Sequence, residues 1–145
     1  MPSLFLNSEL VLDGFFNHYL VIQVFIALFV AILFMETGLD KIFDWKGNLE
    51  FMNNHFSDTG LRDMVPFMLG FVTLIELAAG LLSLLGVVYL IFYGDNSIAF
   101  YGVATGAVAI LMLFFGQRIA KDYAGASTLA VYFILCIIGL FMLNY

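Results

Sequence analysis

Four long apolar segments constrain the fold of this chain more than any other feature. They cover residues 19–39, 64–92, 98–119 and 126–143, to within a few residues. Each reaches the ~20 residues that cross ~30 Å of hydrocarbon as a helix. None shows the alternation of a membrane β-strand, and none is interrupted by the turns that separate buried strands. We therefore predict an all-α integral membrane four-helix bundle, with a single transmembrane domain over residues 1–145.

The composition agrees with a membrane protein and excludes several other classes. Of the 145 residues, 63% are hydrophobic and only 11% are charged, against about 25% charged in soluble domains. A small soluble domain has too much surface to bury so many apolar side chains. A disordered chain needs the opposite balance of charge and hydrophobicity. No basic block is present, so nucleic acid is not an expected partner.

The first connection between the segments, Asp40 to Asp63, carries an apolar residue at every third or fourth position. Such spacing favours an amphipathic helix over about 42–56 that lies in the membrane surface, with Trp45 as its interfacial anchor. An exposed loop is the alternative. The stretch Leu4 to Phe16 is also mildly amphipathic and is expected on the outer surface. The apolar face of the predicted interfacial helix consists of Ile42, Trp45, Leu49, Met52 and Phe56.

All basic residues fall in the first and third connections. Antiparallel helices place these two connections on one face of the membrane, and the positive-inside rule assigns that face to the cytoplasm. Both termini are then expected on the opposite, non-cytoplasmic face of the membrane. The basic residues are Lys41, Lys46, Arg62, Arg118 and Lys121.

Ionisable residues inside the apolar segments are the candidates for function. A charge at the centre of a bilayer costs at least ~2.5 kcal/mol, so the group needs a partner or becomes neutral. Glu36 and Arg118 have similar predicted depths, so we expect them to form an ion pair. Glu76 has no basic residue at its own predicted depth. We expect it to be protonated or to bond to hydroxyl or amide groups, for which the candidates are Thr73, Ser83, Thr105 and Thr128.

Gln117, Asp122 and Tyr123 are close to Arg118 in sequence and complete this candidate polar cluster with Glu36 and Glu76. The cluster is interpreted either as a site for a proton or a quinone headgroup, or as a contact that fixes which helix packs on which.

The sequence identifies no catalytic residue and no metal-ligand set. His18 and His55 belong to opposite membrane faces and cannot be paired ligands of one haem. The candidate ligands are a quinone and membrane lipid, with no cofactor bound covalently or through metal ligands.

Small residues recur within two of the segments. Gly102 and Gly106 form a GxxxG pattern, and Gly80 and Gly86 form a similar stripe after Glu76. Small residues let helix backbones approach closely. We predict packing inside the bundle, with a dimer interface as the alternative.

Two short motifs carry a resemblance to a known family. The run Gly38-Leu39-Asp40-Lys41-Ile42-Phe43 ends the first segment, and Glu76 is followed by Gly80 and Gly86. With the long first connection leading to Pro66, these features resemble DoxX-type proteins. The run from Gly116 to Gly125 is similar to the branch found in the Bacteroidetes. The resemblance implies a small bacterial inner-membrane protein associated with oxidoreductases, and carries over Gly38, Lys41, Glu76, Gly80 and Gly86.

Three functions remain open from the sequence. The first is an accessory subunit of a quinone-linked or respiratory complex, whose partners are lipid and either other membrane subunits or further copies of the chain. The second is a quinone-reacting subunit that uses the Glu/Arg cluster. The third is a small transporter or proton path.

Overall fold

The computed structural model describes residues 18–144, which form five α-helices and one short 3-10 helix. The prediction of an all-α bundle, with an amphipathic helix between the first and second spans, is confirmed. The stretch Leu4 to Phe16 lies outside the described residues. The helices are α1 (His18–Phe43), α2 (Trp45–His55), the 3-10 helix (Arg62–Met64), α3 (Val65–Tyr93), α4 (Ser97–Ile119) and α5 (Tyr123–Met142).

Four of these helices are long and apolar enough to cross a membrane, which makes the chain a multi-pass membrane protein. They are α1, α3 together with its 3-10 start, α4 and α5. Large apolar side chains remain exposed along them, including Phe25, Ile32 and Phe115. Lipid tails solvate such side chains, so a membrane bundle does not need to bury them.

Local chemistry sets where the helices begin and end. The carboxylates of Asp44 and Asp122 accept hydrogen bonds from Gly47 N and Gly125 N, at 3.2 and 3.0 Å, and cap α2 and α5. Pro66 lies in the first turn of α3, where its missing N–H is not needed. Gly94 ends α3 in the left-handed conformation, at φ 65°.

Glycine contacts bring the spanning helices together. Gly80 of α3 lies against Met35 of α1, and Gly86 lies against Ala99 of α4. On α4, Gly102 lies against Ser83 and Gly106 against Phe34. The structure thus places all four small residues of the sequence pattern at contacts between helices of one chain. Helix α3 packs extensively on both α1 and α4, and α5 packs mainly on α4.

The amphipathic helix α2 crosses one end of the bundle and contains no fully buried residue. The ring of Trp45 approaches α3 at Gly70, 3.7 Å from where a Cβ would stand, and is 38% exposed. Just beyond α2, the buried Phe56 packs against Gly116 of α4. Helix α2 is therefore held at its start by α3 and at its end by α4.

Candidate functional site

Glu76 is almost completely buried and forms an ion pair with Lys41. The Lys41 Nζ lies 2.9 Å from Glu76 Oε2, and the two side chains are 16% and 1% exposed. Lys41 Nζ also lies 3.4 Å from the carbonyl oxygen of Thr37, one turn earlier in α1. Within the described residues, Glu76 Oε2 has no further hydrogen-bond donor. The pair joins the end of α1 to the first half of α3.

The expectation that Glu76 lacks a basic partner is wrong. Helix α1 continues four residues past the predicted end of its span at Leu39 and carries Lys41 in its last turn. Long side chains on a helix lean towards its N-terminus, which brings the Lys41 ammonium back to the level of Glu76. The expected hydroxyl partner Thr73 instead donates to the carbonyl oxygen of Leu69 at 2.6 Å, and Ser83 Oγ has no partner in the described part of the chain.

A pocket of about 390 Å³ lies between α2 and the bundle, with Lys41 in its wall. This volume falls within the range of small-molecule sites. We call it the α2 pocket. Most of its wall is apolar and is supplied by α2, the first turns of α3 and the last turns of α4. Its residues are Lys41, Asn48, Phe51, Met52, His55, Phe56, Leu61, Met64, Phe67, Met68, Phe71, Val72, Met112, Leu113, Phe115, Gly116 and Gln117.

A second polar contact closes the α2 pocket at the far end of α2. His55 Nε2 lies 2.5 Å from Gln117 Oε1 and 3.8 Å from Asp122 Oδ2. Gln117 belongs to α4, and Asp122 precedes α5. His55 therefore links the first connection to the third, and the neighbouring Phe51 ring stacks on it with ring centres 5.3 Å apart.

The other residues of the predicted cluster lie apart. The Arg118 guanidinium lies over the ring of Tyr123, 4.7 Å from its centre, and the arginine is exposed. Glu36 is exposed on the outer side of α1. In the described part of the chain, neither an ion pair nor a hydrogen bond reaches its carboxylate.

The predicted Glu36–Arg118 ion pair is therefore wrong, and helix register explains why. Gly106 lies against Phe34, which fixes the register of α4 against α1. Glu36 follows Phe34 by two residues, whereas Arg118 follows Gly106 by twelve. At 1.5 Å per residue their depths differ by roughly 15 Å. An arginine side chain does not span that distance.

The predicted cluster thus does not come together. Glu76 pairs with Lys41, and Gln117 and Asp122 lie near His55. The three remaining residues, Glu36, Arg118 and Tyr123, lie apart from the pocket. The pocket places the Lys41 ammonium and the His55 imidazole beside an apolar wall, which suits a largely apolar small molecule with few polar groups. Within residues 18–144, no three His, Cys, Asp or Glu side chains come close enough to hold a metal ion.

Sequence reasoning missed Lys41 and His55 as site residues. For Lys41 a signal was present, because Lys41 and Glu76 are both among the few positions that the family resemblance carries over. For His55 the signal was weak: a single histidine beside the apolar face of α2 gives no indication of its partner. The contact with Gln117 depends on how α2 folds back across the bundle, which no local pattern determines.

Comparison with known proteins supports the resemblance noted in the sequence. Residues 23–94 match the family model DoxX. The matched region contains all of α2 and α3 and most of α1, and so includes both partners of the Lys41–Glu76 ion pair. No curated protein and no solved structure matches the chain. Over residues 23–94 the chain belongs to the DoxX family.

Proposed function

We propose that this protein is a bacterial inner-membrane subunit of a quinone-linked oxidoreductase, and that the α2 pocket binds the ring of a quinone. The observation that carries the proposal is the pocket itself. It combines an apolar wall with the Lys41 ammonium, which lies 2.9 Å from the Glu76 carboxylate.

The pocket fits a quinone on two grounds. Its wall contains five phenylalanines and four of the chain's seven methionines, which pack well against flat rings and flexible tails. Its polar donors are few and include Lys41 at the end of α1 and His55 at the end of α2. A quinone has carbonyl acceptors on opposite sides of its ring and carries electrons between membrane enzymes.

The role of this chain is then to bind and orient the carrier, with the redox cofactors in a partner subunit. Lys41 donates to one carbonyl oxygen while Glu76 holds its ammonium in place. In the proposed orientation the first and third connections face the cytoplasm, because they hold all five basic residues of the chain. The α2 pocket then opens near the cytoplasmic surface.

Binding of a short-chain quinone to the purified protein tests the proposal. Trp45 is the single tryptophan and lies at the start of α2, so quenching of its fluorescence reports binding. We expect saturable quenching in the native protein. The variant Lys41→Met/Glu76→Leu removes both charges together, and its affinity for the quinone should be at least tenfold lower.

Lys46→Met is the matched control, because Lys46 is exposed on α2 and is not part of the pocket wall. It should bind as the native protein does. Quenching that rises linearly with quinone and is identical in all three proteins reports partitioning into the detergent, and it contradicts the proposal.

A further inference from the structure

We propose that the side of α1 that faces away from the bundle, around Glu36, is a docking surface for a membrane-spanning helix of a different polypeptide. This partner helix carries an arginine or lysine. The inference rests on the proposed role as a subunit, but it does not depend on the α2 pocket.

Glu36 lies in the middle of the outward stripe of α1. Exposed residues recur there at helical spacing. Phe25 and Ile32 precede Glu36 along this stripe, and Leu39 and Phe43 follow it. The opposite side of α1 carries the buried residues of the helix. The Glu36 side chain therefore points away from its own bundle, towards lipid or a neighbouring protein.

The position of Glu36 along α1 is fixed by two contacts with α3. Gly38 lies against Leu77, and Trp45 approaches Gly70. Leu77 follows Gly70 by seven positions in α3, so Gly38 lies about 10 Å deeper along the helix axis than the ring of Trp45. If Trp45 lies at headgroup level, Glu36 lies beyond the interface, among acyl chains. A carboxylate that stays ionised at that depth needs a partner that compensates its charge.

The chain itself supplies no cation for this position, either within one copy or from a second parallel copy. Lys41 is bound to Glu76 inside the bundle. Lys46 and Arg62 lie in the first connection, and Arg118 and Lys121 lie at the far end of α4 and beyond it. Residues 1–17 contain neither lysine nor arginine. Charge complementarity therefore selects a helix from another polypeptide over self-association.

A synthetic membrane-spanning helix can serve as the probe. The helix is leucine-rich, contains no tryptophan, carries a dansyl acceptor, and has a single arginine two turns from one end. Its twin has leucine in place of the arginine. In lipid vesicles, energy transfer from Trp45 to dansyl measures association, because Trp45 is the only donor.

We expect the arginine helix to associate with the native protein at least tenfold more strongly than the leucine helix. Glu36→Leu should abolish this difference. Glu50→Gln, which neutralises an exposed carboxylate on α2, should preserve it. Equal association of the two helices with the native protein, or an unchanged preference in Glu36→Leu, overturns the proposal. Such a result is also the one expected if a lipid headgroup compensates Glu36.

The quinone titration separates this inference from the proposed function. Glu36→Leu should leave quenching of Trp45 by quinone unchanged, because Glu36 is not part of the pocket wall. Absence of an arginine preference in the native protein, with intact quinone binding, therefore refutes the docking surface alone. A clear arginine preference in the native protein without saturable quinone binding refutes the quinone pocket alone.

Discussion

Lys41 Nζ lies 2.9 Å from Glu76 Oε2 and joins the last turn of α1 to a carboxylate that is 1% exposed on α3. The two charges differ in their access to solvent, because Lys41 is 16% exposed and lines the α2 pocket. The pair therefore has a buried side and an accessible side. Substitutions of the two partners are therefore expected to lower the free energy of unfolding by different amounts.

Lys41→Met should destabilise the protein more than Glu76→Gln does. The lysine substitution leaves a carboxylate buried without a partner, which costs about 3–5 kcal/mol. In Glu76→Gln the new side-chain amide still accepts a hydrogen bond from Lys41, so this substitution should cost only ~1–2 kcal/mol. The double variant Lys41→Met/Glu76→Leu should recover most of the stability that Lys41→Met loses, because no buried charge remains unpaired. Unfolding in mixed micelles measures all three, and equal costs for the two single variants would contradict this account of the pair.

Gly102→Ala should weaken the packing of α3 on α4. A Cβ at this position would lie 2.5 Å from the backbone nitrogen of Ser83, which cannot move without displacing α3. We expect a loss of roughly 1–3 kcal/mol in the free energy of unfolding. Gly60→Ala is the matched control, since a Cβ at Gly60 has nothing within 4 Å among the described residues. Similar losses in both variants would show that the close approach at Gly102 has no special role.

His55→Ala should release the end of α2 from the bundle. The substitution removes the contact with Gln117 and the weaker one with Asp122. Local opening of α2 should become easier by about 1–2 kcal/mol. Hydrogen exchange of the backbone amides in Trp45–His55 should accelerate, while exchange in α4 stays constant. Unchanged exchange in α2 would mean that Phe56 alone holds the helix in place.

Asp95 should contribute stability that disappears in acid. The backbone N–H of Ser97 donates to its carboxylate at 2.9 Å and holds the pKa of Asp95 below its usual range. A lowered pKa gives stability that is present above the pKa of the unfolded chain and is lost as the pH falls through the folded pKa. The melting temperature of Asp95→Ala should therefore lie below that of the native protein at neutral pH, and the gap should close as the pH falls through the folded pKa. A gap that stays constant with pH would contradict this.

The sequence predicted the helices well because their signal is local. Each uniform apolar run, and the apolar spacing of residues 42–56, is a property of one continuous stretch of sequence. The pairing of side chains across helices was predicted poorly. It depends on where each helix ends and on the register between helices. Because α1 continues to Phe43, Lys41 lies within reach of Glu76. The contact of Gly106 with Phe34 sets a register in which Glu36 and Arg118 lie at different depths.

The quinone content of the protein extracted from its native membrane with surrounding lipid tests the central claim most directly. The native protein and Lys41→Met/Glu76→Leu are extracted in parallel, and the quinone that remains with each is quantified against a matched lipid sample. The account predicts that quinone is enriched over bulk lipid in the native protein and that the enrichment is lost in the double variant. Quinone at the level of bulk lipid in the native protein, or equal enrichment in both proteins, would contradict it.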